Sequence, residues 1–217
     1  MILKPRTTCR ICNSTQLSTI MSLGQQHIAA YTPRDSDPNP VLDKFPLELI
    51  RCTEPDCGLV QLRHSTPSDI LYERYFYRSG INKTMTKNLK EITIQAISKV
   101  ELHDNDIVLD IGCNDGTLLK NYQGKNLRSV GIDPAKNMAE FSKECGADII
   151  VDYFNSKSFT DHYSNEKAKI ITSISMFYDL EDPNEFVSDI VNILAKDGVW
   201  VIELKYLPTM IFQNAFD

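Results

Sequence analysis

No apolar run in this sequence approaches the roughly 18 consecutive residues that a membrane-spanning helix needs, so no segment reads as a helical membrane span. Positive charge is scarce too. The chain has 23 Lys and Arg against 29 Asp and Glu, a net charge of −6. A chain of that sign has no general electrostatic attraction for nucleic acid or for an anionic membrane surface. Met1 to Cys9 lacks the apolar segment of a secretory signal, so a cytoplasmic, reducing location is expected. In that compartment the six cysteines read as metal ligands or buried thiols rather than disulfides. There is no internal repeat and no low-complexity tract, and His27, His64, His103 and His162 have no motif around them. What remains is a composition of 42% hydrophobic and 24% charged residues over 217 positions. That suits a soluble globular protein with one large domain or two small ones.

The first 80 residues differ from the rest. They hold four of the six cysteines and most of the ten prolines. Thr32 to Pro40 reads as a surface loop by its prolines and aspartates. Phe45 to Ile50 and Leu59 to Arg63 read as short strands around a turn at Glu54-Pro55-Asp56. So little apolar material is present that this region needs a staple. Cys9-x-x-Cys12 and Cys52-x4-Cys57 supply one. Four thiolates in two knuckles make a closed tetrahedral site, for which Zn2+ is the best-suited metal. Such a site has a structural role, since no coordination position is left open. Four metal-free thiols are the other reading. Cys113 and Cys145 lie far along the chain and read as small buried or loop residues.

Beyond residue 80, strand and helix alternate. Met85 to Val100 reads as an amphipathic helix with Met85, Leu89, Ile92, Ala96, Ile97 and Val100 on one face. Strands are expected at Ile107 to Ile111, Ser129 to Ile132, Asp148 to Val151, Ile170 to Ser175 and Gly198 to Glu203. Helices are expected from about Thr117, through Met138 and Phe141, and over Pro183 to Leu194. Short apolar runs separated by helices mean a parallel sheet covered on both faces, an α/β fold.

The run Val108 to Gly116 carries the chemistry. It reads as a buried strand, a glycine turn and a helix start, the layout by which doubly wound folds meet nucleotide-like ligands. Asp110 precedes the first glycine and Asp115 sits in the loop, and two carboxylates repel a pyrophosphate at short range. The spacing Gly112-x3-Gly116 also differs from the dinucleotide pattern. S-adenosylmethionine, which has an ammonium and a sulfonium but no phosphate, fits. Asp133 ends the second strand about 20 residues on, where a carboxylate accepts ribose hydroxyls. The cofactor set is therefore Asp110, Gly112, Cys113, Asn114, Gly116, Asp133 and Pro134, with Asp152 and Ser175 at the ends of the next two strands. Asp152 also reads as a solvated strand-end acid, and Asp115 as a helix N-cap.

The segments Cys9-Arg10-x-Cys12, Leu23-Gly24-Gln25-Gln26, Phe45-Pro46-Leu47, Cys57 to Leu62 and Tyr75 to Gly80 resemble the zinc-containing, S-adenosylmethionine-dependent nucleotide-sugar C-methyltransferases. The resemblance covers nearly the whole chain. It implies a zinc-binding domain at 1–80 and a class I methyltransferase, Rossmann-like domain at 81–217 whose sheet is incomplete at its C-terminal end. It also implies a nucleotide-sugar substrate bearing a 4-keto group, methylated through an enolate. Tyr75 and Tyr77 are then candidates to orient the base or to bond the keto oxygen, and packing is their alternative role. Ser79 and Arg78 are candidates for the cofactor carboxylate. The family pattern runs on past a segment like Asn214 to Asp217 into a His-Glu-His stretch that supplies its base. Many relatives have a histidine near the position of Asp179. A truncated, split or divergent chain is therefore expected, with a separate C-terminal fragment or subunit as partner. An RNA base methyltransferase and a non-catalytic cofactor-binding subunit are the rival readings.

Overall fold

The computed structural model describes residues 3–28 and 43–215, so the expected loop at Thr32 to Pro40 lies outside the described residues. Two compact units are present, one over Met1–Phe76 with Glu181–Asn184 and the other over Tyr77–Leu180 with Glu185–Asp217.

The first unit is a three-stranded antiparallel sheet, ordered β1 (Leu17–Gln26), β2 (Phe45–Cys52), β3 (Val60–Leu62), followed by the single-turn helix α1 (Ser68–Tyr72). β1 was not expected. Most of its side chains are exposed, so it lacks the alternation that marks a half-buried strand. It forms because β2 offers it a ladder that runs from Leu17 opposite Cys52 to Gln26 opposite Phe45, with register shifts after Thr19 and Ser22. Among the described residues, Cys9, Phe45, Ile50 and Cys52 are the buried apolar side chains of this unit. Gln61 is buried beside them, and its Oε1 accepts from the Arg10 backbone N–H and guanidinium, each at 3.2 Å.

The second unit opens with α2 (Lys83–Ile97), capped by the Asn82 side chain, which accepts from the Thr84 and Met85 N–H groups at 2.9 and 3.2 Å. Its parallel sheet comprises β4 (Ile107–Ile111), β5 (Arg128–Ile132), β6 (Asp148–Ile150), β7 (Ala168–Ile174) and β8 (Leu194–Glu203), in the order β6-β5-β4-β7-β8. β4 is central and wholly buried. Ile107, Leu109 and Ile111 point into a core shared with Phe159, Phe186, Ile190 and Ile193, while Val108 points the other way, toward Leu89, Ala96 and Leu119. This is the period-2 alternation of a strand covered on both faces.

Helices form where expected at α2 and over residues 183–193, and the others depart from expectation. α3 (Ala139–Lys143) is a single turn, and α4 (Ser156–Tyr163), with an Asn155–Ser158 capping box, was not expected at all. α5 (Pro183–Ile193) and α6 (Leu207–Phe212) complete the set. Where a helix was expected from Thr117, only a 3-10 turn forms at Leu119–Tyr122. Gly124 and Asn126, both at positive φ, end it within a few residues. β8 starts earlier than Gly198, because Leu194 pairs with Ala168 before a register shift brings Val199 opposite Ile170.

Candidate metal centre and cofactor site

The four expected thiols of the first unit converge: the sulfurs of Cys9, Cys12, Cys52 and Cys57 all lie within 4.8 Å of one another. Two tight turns bring them there. The Asn13 N–H bonds back to the Cys9 carbonyl at 3.0 Å, with Asn13 at φ 59. The Cys57 N–H bonds back to the Glu54 carbonyl at 3.1 Å, with Gly58 at φ 65 just beyond. The Ser14 hydroxyl donates to Glu54 at 2.7 Å and ties the two knuckles together. A tetrahedron with Zn–S bonds of about 2.3 Å has sulfur–sulfur edges of about 3.8 Å. The closest pairs here are Cys9–Cys57 at 3.6 Å and Cys12–Cys52 at 3.5 Å, so the donor set fits zinc. Burial acts to raise the Cys9 thiol, but the N–H groups of Cys12 and Ile11 and the neighbouring thiols outweigh it and hold it at about 7. Burial pushes Cys52 up to about 12. A bound dication favours the thiolate at every position.

In the second unit the glycine loop leaves β4 with Gly112 and Gly116 both at φ +73. Its N–H groups turn inward. Gly112 and Cys113 donate to the Ile132 carbonyl at 2.8 and 3.4 Å, Asn114 to Asp133 Oδ2 at 2.7 Å, and Gly116 to the Cys113 carbonyl at 2.9 Å. A phosphate nest needs such groups free. Their internal use fits a nucleoside cofactor without phosphates. Asp115, expected to face a ligand from the loop, instead has its carboxylate buried and bonded inside the protein. It accepts from the Thr117 hydroxyl at 2.6 Å and the Gly80 N–H at 2.9 Å, and lies 3.8 Å from Arg78 Nε.

Asp133 stands at the carboxyl end of β5, accepting from the Asn114 and Ala135 N–H groups at 2.7 and 2.8 Å. Each oxygen keeps acceptor capacity for a ribose hydroxyl. Burial raises its pKa against those two hydrogen bonds. Asp110 is fully enclosed, and burial pushes it up to about 7. The Thr172 hydroxyl, 2.6 Å away, opposes that shift and the Asp133 charge adds to it.

The other expected residues fall as follows. Cys113 is buried, with its sulfur over Gly131, and faces inward. Pro134 lies in the turn after Asp133 and is half-buried. Asp152 is exposed just past β6, and its carboxylate accepts from the Tyr153 N–H at 2.7 Å. Ser175, at φ 55 past β7, donates its hydroxyl to Glu203 at 3.0 Å. Asp179 is exposed in the 3-10 turn Phe177–Asp179. Ser79 is half-buried, and its N–H donates to Asn114 Oδ1 at 3.0 Å. Tyr77 is half-buried, and its carbonyl accepts from Asn114 Nδ2 at 2.9 Å. Arg78 stacks on Phe141, 3.6 Å from its ring centroid. Tyr75 belongs to the first unit, its ring centroid 6.1 Å from that of Tyr72 and 5.4 Å from that of Phe76.

Three residues on the same sheet edge escaped the sequence reading. Met176 lies over Gly112, where an added Cβ would meet the Met176 Cγ at 3.4 Å. Thr172 holds Asp110. Glu203 closes β8 between the Ser175 hydroxyl and Asn88 Nδ2, 2.7 Å away. Glu203 carries the signal that found Asp133, an acid ending a parallel strand.

The fold and site define a class I methyltransferase. A family profile described as "Methyltransferase domain" matches residues 72–209, and one described as "Putative zinc binding domain" matches residues 9–72. The chain belongs to the methyltransferase-domain family, with S-adenosylmethionine as cofactor and a four-cysteine zinc site ahead of it. Along all 217 residues it is 26% identical to the C-methyltransferase NovU of Streptomyces niveus, and it covers 51% of that protein. The chain thus spans about half the length of the curated relative it matches. Among solved structures, the plantazolicin methyltransferase BpumL, in complex with a pentazolic substrate analogue and SAH, matches with a TM-score of 0.51 and 18% identity. That match covers 64% of this chain and 55% of BpumL. The plantazolicin methyltransferase BamL matches at 0.50 and 18%, covering 62% and 52%. At such identities these two speak to the fold alone. Among the described residues no helix is long and apolar enough to cross a membrane.

Proposed function

We propose that this chain is the zinc-bearing and cofactor-binding part of an enzyme that methylates a carbon of a nucleotide-linked keto-deoxysugar, with domains at 1–80 and 81–217. The observation that carries this reading is the match to a C-methyltransferase over all 217 residues of the chain, at 26% identity. Asp133 takes the cofactor ribose, with Gly112, Asn114, Gly116 and Pro134 shaping the floor beneath it. Ser79, Asp152 and Ser175 line its rim. Asp110 and Cys113 support the loop from below, through Thr172 and Gly131.

When bound, the cofactor supplies an electrophilic methyl group. The keto group of the sugar acidifies its neighbouring C–H, and loss of that proton leaves an enolate carbon as nucleophile. Tyr75 and Tyr77 are the residues proposed to bond the keto oxygen or orient the base, and Asp179 to face the sugar. Holding carbon, methyl and sulfur in line accounts for much of the acceleration, because alignment converts a bimolecular step into an effectively unimolecular one. The base and the rest of the sugar site are proposed to lie outside these 217 residues, since the chain covers 51% of NovU. A nucleic-acid substrate is disfavoured by the net charge of −6.

The test has two stages. Calorimetry with SAH should give a saturable heat. Methyl transfer from a deuterated-methyl cofactor to a nucleoside-diphosphate 4-keto-deoxyhexose is then followed by mass spectrometry, with and without the part of NovU that the chain does not cover. Transfer in the mixture supports the sugar-methylating reading. SAH binding with no transfer in any mixture would count against the sugar substrate.

A further inference from the structure

We infer that Asn114 and Asp115 are positioning residues that clamp the segment Tyr77–Gly80 onto the glycine loop, so that cofactor occupancy and the placement of Tyr77 and Ser79 form one linked equilibrium. The inference rests on the cofactor reading of the loop and extends it.

Asn114 grips the segment at two points. Its Oδ1 accepts from the Ser79 N–H at 3.0 Å and its Nδ2 donates to the Tyr77 carbonyl at 2.9 Å. Asp115 adds a third, accepting from the Gly80 N–H at 2.9 Å, and its other oxygen is fixed by the Thr117 hydroxyl at 2.6 Å. Gly80 lies so close that a Cβ there would meet Thr117 Oγ1 at 2.8 Å and Asp115 Oδ2 at 2.9 Å. Arg78 supplies a further anchor, its guanidinium 3.6 Å above the Phe141 ring and its Nε 3.8 Å from Asp115. These bonds are shielded from water on one side, where Asn114 and Asp115 are buried, while Tyr77 and Ser79 are half-buried and Gly80 is exposed.

The linkage runs through a single residue. The Asn114 backbone N–H donates to Asp133 Oδ2 at 2.7 Å, while the Asn114 side chain holds residues 77–79. A ribose that engages Asp133 therefore acts on the residue that places Tyr77 and Ser79. Asn114 holds φ 51, the left-handed region that asparagine tolerates.

Two variants act from opposite sides. Asn114→Gly keeps the positive φ and the N–H on Asp133 but removes the two side-chain bonds to Tyr77 and Ser79, leaving the Asp115 grip on Gly80. Gly80→Ala leaves the Asn114 side chain in place but crowds Asp115 and Thr117 from the segment's side. Amide exchange at Ser79 and Gly80 is measured with and without SAH, and SAH affinity by calorimetry, on the full chain. In the wild type, SAH should slow exchange at both amides. Both variants should lose that response, keep the exchange of β4 and β5, and bind SAH about tenfold more weakly, since coupling is reciprocal. A merely structural clamp predicts faster exchange in the variants but wild-type SAH affinity, and that result overturns the inference. So does wild-type SAH binding that leaves Ser79 and Gly80 unaffected. Failure of the wild type to bind SAH at all removes the cofactor reading, and the clamp's role with it.

Discussion

Removing zinc from this protein should unfold its first unit and spare the second. Among the described residues, the buried apolar side chains of the first unit other than its ligands are Phe45 and Ile50. Burying each contributes about 1.5–3 kcal/mol, so the pair supplies roughly 3–6 kcal/mol. A structural zinc site contributes on the order of 10–16 kcal/mol. The metal therefore outweighs the apolar core of its own unit. The second unit has both faces of a five-stranded sheet covered, with Ile107, Leu109, Ile132, Ile171 and Phe159 all 2% exposed or less. Hydrogen exchange by mass spectrometry, before and after treatment with a strong zinc chelator, separates the two. Peptides covering β1, β2 and β3 should lose protection, and those covering β4, β5 and β7 should keep it. Metal analysis should give one zinc per chain before treatment and none after. Cys52→Ser should reproduce the loss, whereas Cys145→Ser should retain full zinc content. The reasoning is refuted if β1–β3 stay protected in protein shown to be metal-free.

Two smaller predictions concern the loop. Gly116→Ala puts a Cβ 2.8 Å from the Cys145 sulfur and 2.9 Å from its Cβ, at a backbone φ of +73. The conformation costs about 1–2 kcal/mol and the crowding about 1–3 kcal/mol, which a lowered thermal midpoint should register. Adding Cys145→Gly should return the crowding share only, and complete recovery would show that φ was not limiting. Asp110 gives a pH signature. Its carboxyl is pushed from an ordinary 3.8 up to about 7, chiefly by burial, so between those values the native state holds more protons than the unfolded state. Stability therefore falls as pH rises from about 4 to 7, and the penalty remains in full above that. Asp110→Asn should flatten this slope and gain up to about 4 kcal/mol at pH 8, less as the site relaxes. Denaturant melts at several pH values measure it, and an unchanged slope in the variant would sink the idea.

Features that depend on a few neighbouring residues were legible in the sequence. The five strands of the parallel sheet showed because each holds a short apolar run bounded by polar or glycine residues. The two cysteine pairs showed because ligand spacing within a knuckle is set by one turn of backbone. The elements missed were those stabilised from elsewhere. β1 is mostly exposed and exists through its ladder with β2, and the expected helix after Thr117 is cut short by Gly124 and Asn126 at positive φ. α4 did leave a local trace, in its Asn155–Ser158 capping box.

The sequence by itself determined the parallel sheet, the glycine turn after β4, the acid at the end of β5 and the four thiols. Strand periodicity, positive-φ glycines and knuckle spacing are all written in adjacent residues. Only the tertiary structure decided which way the loop's polar groups point. It turned the N–H groups of Gly112, Cys113 and Asn114 inward, and it spent Asp115 on Gly80 and Thr117 rather than on a ligand. It also brought Glu203 from β8 to Ser175 and Asn88. The physical reason is that a buried carboxylate or amide takes whichever partner the packed fold delivers, and residues 35 or 115 positions away leave no mark on local spacing.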